Sequence, residues 1–214
     1  GMSAGAEGLT IAVPRGTLLQ GTLDLLDGLG IDTGEVRSNE RKLLFDEAGL
    51  VTMRPSDVPT YVEHGAADLG VTGKDVLLEQ DQREIYELLD LGFGHCRMVV
   101  AAREGEDALA RSLQRLGRVR VATKYPRVAA RWFAETGRQA EVVEVKGSVE
   151  LAPLTGLVDA IVDLTATGRT LSENGLEVVE EIGACTARLI ANPVSHKLKA
   201  PEIDSLVERI RGSR

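Results

Sequence analysis

The chain has 214 residues, enough for one large domain or two small ones with a real core. Hydrophobic residues make up 43% and aromatics only 3%, so the core must be built from Ala, Val, Leu and Ile. A formal charge of −8 argues against non-specific nucleic-acid binding, and no apolar run approaches the roughly 20 residues of a membrane span. Gly1 ahead of Met2 reads as a tag remnant, and the stretch to Gly8 has neither the basic nor the apolar region of a signal peptide.

Leu9–Val13 reads as a strand, followed at once by the turn Pro14-Arg15-Gly16-Thr17. Leu18, Leu19, Leu23, Leu25, Leu26 and Leu29 then recur at helical spacing, closed by Gly28 and Gly30. Ligands in open α/β sheets bind at the carboxyl edge of the strands, which is where Arg15 and Gly16 fall; a solvated loop charge is the equally open reading of Arg15. Leu43–Phe45 and Leu50–Arg54 read as two strands, and Ser56 or Asp57 as the cap of a short helix that Gly65 ends. Ala67–Gly73 is a compact strand running into Lys74-Asp75, a helix start. Arg54 and Lys74 thus sit at element junctions.

Ile85–Leu91 makes a further strand, Gly92-Phe93-Gly94 a flexible break, and His95–Ala102 a long apolar strand. A second α/β series follows: a helix from Asp107 to Leu116, a strand Val119–Ala122, a turn Thr123–Pro126, a helix Val128–Thr136, and a strand Glu141–Val145 leading to Lys146–Glu150. Next comes Val158-Asp159-Ala160-Ile161-Val162-Asp163-Leu164-Thr165-Ala166-Thr167-Gly168-Arg169-Thr170-Leu171. It reads as a buried strand with two acids, then a turn of small and hydroxyl residues, then a helix start. Such a turn offers backbone N–H groups to a phosphate, and Gly168 lets the backbone approach closely. Asp159 and Asp163, expected near the strand's exit, would face a ribose hydroxyl or a metal; an ordinary strand–turn–helix with Thr caps is the alternative. The phosphate loop G-x-x-x-x-G-K-[ST] is absent.

Leu176–Ile182 shows mixed alternation, Cys185–Ala191 reads as a return strand, and Ile203, Leu206, Val207 and Ile210 mark a terminal amphipathic helix. No internal repeat is visible. The expected organisation is two α/β lobes, residues 1–94 with 184–214 and residues 95–183, with an active-site cleft between them. Cys96, Cys185, His64, His95 and His196 are too scattered for a zinc pattern, so both cysteines are expected to be buried free thiols in a reducing cytoplasm.

The chain resembles the catalytic subunit of ATP phosphoribosyltransferase, the first enzyme of histidine biosynthesis, from Ile11 to about Leu198. The most specific match is Glu144-x5-Glu150 through Asp159-Ala160-Ile161-Val162-Asp163-Leu164-x2-Thr167-Gly168-x-Thr170-Leu171. Pro14-Arg15-Gly16, Arg54-Pro55-x-Asp57, Gly65-x2-Asp68-Leu69-Gly70-Val71-Thr72-Gly73 and Cys96-Arg97 support it. The resemblance implies a type II periplasmic-binding-protein-like fold and attack of adenine N1 of ATP on 5-phosphoribosyl 1-pyrophosphate, with release of pyrophosphate and a requirement for Mg²⁺. Carried over, Asp159, Asp163 and Thr165, Ala166, Thr167, Gly168, Arg169 and Thr170 hold the phosphoribosyl donor. Arg15, Gly16, Arg54, Asp68, Lys74 and Glu150 fall on the ATP and pyrophosphate side. No residue is assigned as general base, and no metal ligand is identified. The chain ends at Arg214, like the family's short form, which implies a separate regulatory subunit resembling histidyl-tRNA synthetase and a cytoplasmic hetero-oligomer containing catalytic dimers. A two-lobed binding or sensing module, or transfer to another base, are the rival readings.

Overall fold

The structure, a computed structural model, describes residues 7–213, so the reading of Gly1 lies outside it. Ile11–Pro14 form β1, buried along its whole length as a strand covered on both faces must be. α1 (Leu19–Gly28) turns Thr22, Leu23 and Leu26 inward. α2 (Gly34–Ser38) was not legible in the sequence, because Val36 is its one buried residue and leaves no period to read. β2 (Leu44–Phe45) and β3 (Leu50–Met53) follow. A 3₁₀ turn at Pro55–Asp57 leads into α3 (Val58–Glu63), whose start carries no side-chain cap from Asp57, contrary to expectation. β4 (Leu69–Gly73) is buried throughout, and α4 (Lys74–Glu79) and β5 (Tyr86–Asp90) come next.

β6 (Cys96–Arg103) then opens a second series: α5 (Ala108–Leu116), β7 (Val119–Thr123), α6 (Pro126–Glu135), β8 (Ala140–Glu144), α7 (Leu151–Leu154), β9 (Ala160–Thr165), α8 (Arg169–Glu173) and β10 (Leu176–Cys185). β11 (Ala187–Ala191), α9 (Pro193–Leu198) and α10 (Ala200–Gly212) finish the chain. The expected return strand Cys185–Ala191 is therefore divided. Cys185 ends β10 and a new strand starts at Ala187.

Contacts divide the chain into two compact units, one running to Gly94 and resuming at Thr186, the other comprising His95–Cys185. The second boundary thus lies after Cys185 and not after residue 183. The first unit holds a six-stranded sheet of order β2-β3-β1-β4-β11-β5, the second a five-stranded sheet of order β10-β6-β9-β7-β8. In the first, β1 runs parallel to β3 and β4, while β11 is antiparallel to β4 and β5. In the second, β7 runs parallel to β8 and β9, while β6 is antiparallel to β9 and β10. The run β3-β1-β4-β11-β5 therefore has the same order and directions as β8-β7-β9-β6-β10. The topology repeats where the sequence shows no repeat, because strand order needs only a matching pattern of apolar strands and short crossovers. In each unit the antiparallel inner strand is the first one after the chain crosses over.

Each unit has its own core. Ile11, Leu23, Phe45, Leu69, Leu189 and Ile203 belong to a cluster in the first, and Val99, Ala122, Ile161, Leu171 and Leu176 to one in the second. Among the described residues no helix is long and apolar enough to cross a membrane.

Candidate active site

In a sheet with mainly parallel strands, the strand exits share one edge, and the loops there carry the chemistry. In the second unit this edge collects the segments after β7, β8 and β9. The turn after β9 is shaped by Gly168, which takes φ +81° and ψ 0°, a left-handed conformation that suits glycine, and leads directly into α8. Leu171 is buried beneath it and anchors the short helix.

Two of the turn's N–H groups are already occupied. Gly168 N–H donates to Thr165 Oγ1 at 2.9 Å and Arg169 N–H to Thr167 Oγ1 at 3.3 Å. The amides of Ala166 and Thr167 have no acceptor among the described residues. Thr165 and Thr167 thus act mainly as local caps, and Ala166 N–H, Thr167 N–H and the exposed Thr170 are the groups left to meet an anion. Arg169 is exposed and pairs with Glu173 at 3.0 Å, one turn along α8. Asp163 lies within β9, opposite Val99, and is only 8% exposed.

Asp159 requires a correction. It precedes β9, at the opposite end of that strand from the turn, and not near its exit. Its carboxylate accepts the Arg120 backbone N–H at 2.9 Å and pairs with the Arg120 guanidinium at 3.0 Å. Burial pushes its pKa up, but hydrogen bonds from Arg120 and Ser112 outweigh this and hold it below the usual carboxylate range. It ties the starts of β7 and β9 together and does not face the turn.

Asp68, expected on the ATP and pyrophosphate side, stands in the corresponding place in the first unit. It precedes β4, where its carboxylate accepts Thr10 N–H at 2.8 Å, Ser195 Oγ–H at 2.7 Å and Lys199 Nζ–H at 3.1 Å. Burial again raises its pKa, and these donors lower it further than burial lifts it. The two aspartates are equivalent latches in the repeated topology. The sequence shows an acid beside an apolar strand without showing the distant donors that claim it.

Arg15, Arg54 and Lys74 follow β1, β3 and β4, so they share the carboxyl edge of the first unit's sheet. Arg15 donates to Thr52 Oγ1 at 3.0 Å and to the carbonyls of Glu40 and Lys42, both at 2.9 Å. Its charge is not neutralised by these acceptors, and it lines a cavity of about 250 Å³ with Gln20, Arg37 and Glu40. Gly16 beside it is exposed, with φ +91°. Arg54 is exposed with no partner among the described residues. Lys74 pairs with Glu87 at 2.9 Å, and Arg188 shares that carboxylate at 3.3 Å. Glu150, grouped with these residues in the sequence, lies in the second unit immediately before α7.

Two basic residues on the second unit's edge were passed over as site candidates. Arg97 is the register partner of Thr165 across β6 and β9. Lys124 follows β7, where Thr123 Oγ1 donates to Val162 O at 2.7 Å and accepts Tyr125 N–H at 2.8 Å, fixing the turn and leaving Lys124 exposed. A lysine directly after a buried parallel strand was the available signal for it. Among the described residues no three His, Cys, Asp or Glu side chains gather as a metal-binding group. Neither cysteine forms a disulfide; Cys185 is buried, whereas Cys96 is only half-buried, less than expected.

A family model described as "HisG: ATP phosphoribosyltransferase" matches residues 54–212. A protein of Rubrobacter xylanophilus named ATP phosphoribosyltransferase is 53% identical over 207 residues, covering 95% of each chain. One of Geobacter sulfurreducens named ATP phosphoribosyltransferase 2 is 47% identical over 204 residues, covering 94% of this chain and 95% of its own. Among solved structures, the ATP phosphoribosyl transferase (HisG:HisZ) complex from Thermotoga maritima aligns with a TM-score of 0.81 at 36% identity, covering 95% of this chain and 96% of that one. The periplasmic aliphatic sulphonate binding protein SsuA of Escherichia coli aligns with a TM-score of 0.59 at 13% identity, over 94% of this chain and 70% of that one, a likeness of fold alone. With a matching family model over most of its length and full-length relatives at about half identity, this chain belongs to the ATP phosphoribosyltransferase family.

Proposed function

We propose that the chain transfers the phosphoribosyl group of 5-phosphoribosyl 1-pyrophosphate to N1 of ATP, releasing pyrophosphate, as the first step of histidine biosynthesis. The 53% identity with the Rubrobacter xylanophilus protein across nearly the whole of both chains carries the reading. The turn after β9 supports it at the level of residues. Ala166 N–H, Thr167 N–H and the Thr170 hydroxyl are the groups left to receive the 5-phosphate, with Arg169 beside them once it exchanges Glu173 for the anion. Asp163 is the remaining acid of the motif for the ribose side, Asp159 having been claimed by Arg120. Arg15, Gly16, Arg54 and Lys74 are assigned to ATP and pyrophosphate, with Glu150 on the second unit.

Adenine N1 carries its own lone pair, so attack needs no general base. The chain's task is to hold nucleophile and anomeric carbon in line and to stabilise charge growing on the leaving pyrophosphate. Mg²⁺, bound with the diphosphate, would supply further charge neutralisation. The lack of a three-ligand cluster among the described residues suits a cation held largely by substrate phosphates and water. By analogy with the Thermotoga maritima complex, a separate regulatory subunit is assigned to this chain, in a hetero-oligomer built on catalytic dimers. Two cysteines outside any disulfide support a cytoplasmic location.

The test is formation of the N1-ribosylated adenine chromophore from ATP, 5-phosphoribosyl 1-pyrophosphate and Mg²⁺, with and without the regulatory subunit. No absorbance change with both subunits present would overturn the assignment. Thermal stabilisation by an amino acid or sugar, and by neither substrate, would return the chain to the binding-module reading.

A further inference from the structure

The second unit carries a cavity of about 390 Å³ at the amino-terminal side of its sheet, where β7 and β9 begin. Its wall includes Arg103, Arg111, Arg115 and Arg120 against two carboxylates, Glu106 and Asp159. This excess of positive charge stands in a chain whose formal net charge is −8. The ion pairs show which charges are spent. Arg120 is neutralised by Asp159 at 3.0 Å and Arg111 by Glu106 at 3.2 Å. Arg103 donates only to neutral carbonyls, Pro153 O at 3.2 Å and Leu154 O at 2.8 Å, and so keeps its charge. Arg115 has no hydrogen-bond or ion-pair partner among the described residues. Two uncompensated guanidinium groups therefore share one concave wall with apolar surface from Leu116 and Val158.

We propose that this cavity is a binding site for a small organic dianion, a phosphate monoester or a dicarboxylate, held by Arg103 and Arg115. Guanidinium groups bind both anions through paired N–H donors. The volume is within the range of small-molecule sites and exceeds what a bare inorganic anion would fill. The site is separate from the turn at Thr165–Thr170, which lies at the other end of β9. An occupant would touch Arg120 and Asp159, the latch at the start of the same strand.

The test is calorimetric titration of the intact chain at low ionic strength with glycerol 3-phosphate and with succinate. Each is run on the wild type, on Arg115→Glu and on Thr170→Ala. At least one probe is expected to bind the wild type and Thr170→Ala alike, and to bind Arg115→Glu at least about tenfold more weakly, one decade in dissociation constant. Arg115 is exposed, so its replacement leaves the core untouched. Binding by glycerol 3-phosphate alone assigns a phosphate monoester, and binding by succinate alone a dicarboxylate. Failure of both probes, undiminished binding to Arg115→Glu, or loss only in Thr170→Ala overturns the proposal.

Discussion

Replacing Asp68 separates two roles that the sequence could not distinguish. As a substrate ligand, its loss would raise the KM for ATP; as a latch, its loss would loosen the first unit and leave KM alone. Asp68→Ala strips the acceptor from three donors at once. Thr10 N–H, left without an acceptor at the start of β1, costs about 1–3 kcal/mol. The Ser195 hydroxyl adds roughly 0.5–1.5 kcal/mol. Lys199, whose side chain is 42% exposed, adds at most about 1 kcal/mol, since water screens the pair. The expected total is about 3 kcal/mol, with Asp68→Asn roughly half of that because its amide oxygen can still serve one donor. The pH dependence has a definite sign. The native carboxylate titrates below its ordinary value, so its contribution is complete above an unfolded pKa of about 3.9 and fades as pH falls through the native value. Asp68→Ala should therefore lose most stability at neutral pH and show a flatter decline in acid. Urea unfolding, amide exchange at Thr10 and steady-state kinetics would read the three quantities. Unaltered Thr10 exchange together with a raised KM for ATP would refute the latch and restore the substrate role.

Gly168→Ala forces an alanine to φ +81°, while its Cβ would enter open space with nothing within 4 Å. The cost is backbone strain alone, about 1–2 kcal/mol, and the turn is expected to relax and bind 5-phosphoribosyl 1-pyrophosphate roughly tenfold more weakly; unchanged affinity by titration would place the anion elsewhere. Gly70→Ala is the contrasting case, since its Cβ would lie 2.6 Å from Val58 Cγ1 and 2.8 Å from Val62 Cγ2. Overpacking of about 1–3 kcal/mol should appear as a lower melting temperature, with no change confined to substrate binding. Cys96 and Cys185 are direct register partners on antiparallel β6 and β10. A thiol oxidant such as diamide is expected to join them within one chain, seen by mass spectrometry as the loss of two hydrogens; two thiols still reactive in the native state would show that their side chains cannot meet.

Strong periodicity made much of the fold legible. The leucines of α1 and the uninterrupted apolar runs of β6 and β9 could be read directly, because deep burial leaves little choice of residue. What was missed depended on information that periodicity does not carry. α2 buries one side chain, and the break at Thr186 divides a stretch whose residues would suit one strand. At the site, the turn around Gly168 announced itself through glycine and hydroxyls, yet the hydroxyls of Thr165 and Thr167 proved to cap their own backbone. Asp159 stands at the other end of its strand from the one expected, for a single reason. An acid flanking an apolar run looks the same whether it enters or leaves the strand, and only the neighbouring strand's N–H groups decide its use.

The position of β11 bears on the order in which the chain can acquire structure during synthesis. β11 lies between β4 and β5 in the first unit's sheet, and among the described residues β5 has no other strand beside it. Until residues 187–191 emerge from the ribosome, β4 therefore presents a bare, apolar edge and β5 has nothing to pair with. His95–Cys185 is continuous in sequence and contains every strand of its own sheet. The usual N-terminal-first order is thereby lost, since the first sheet cannot be completed before the second unit has been made. The earlier-made unit must wait, with an exposed edge open to wrong pairing, for a strand that follows the whole of the other.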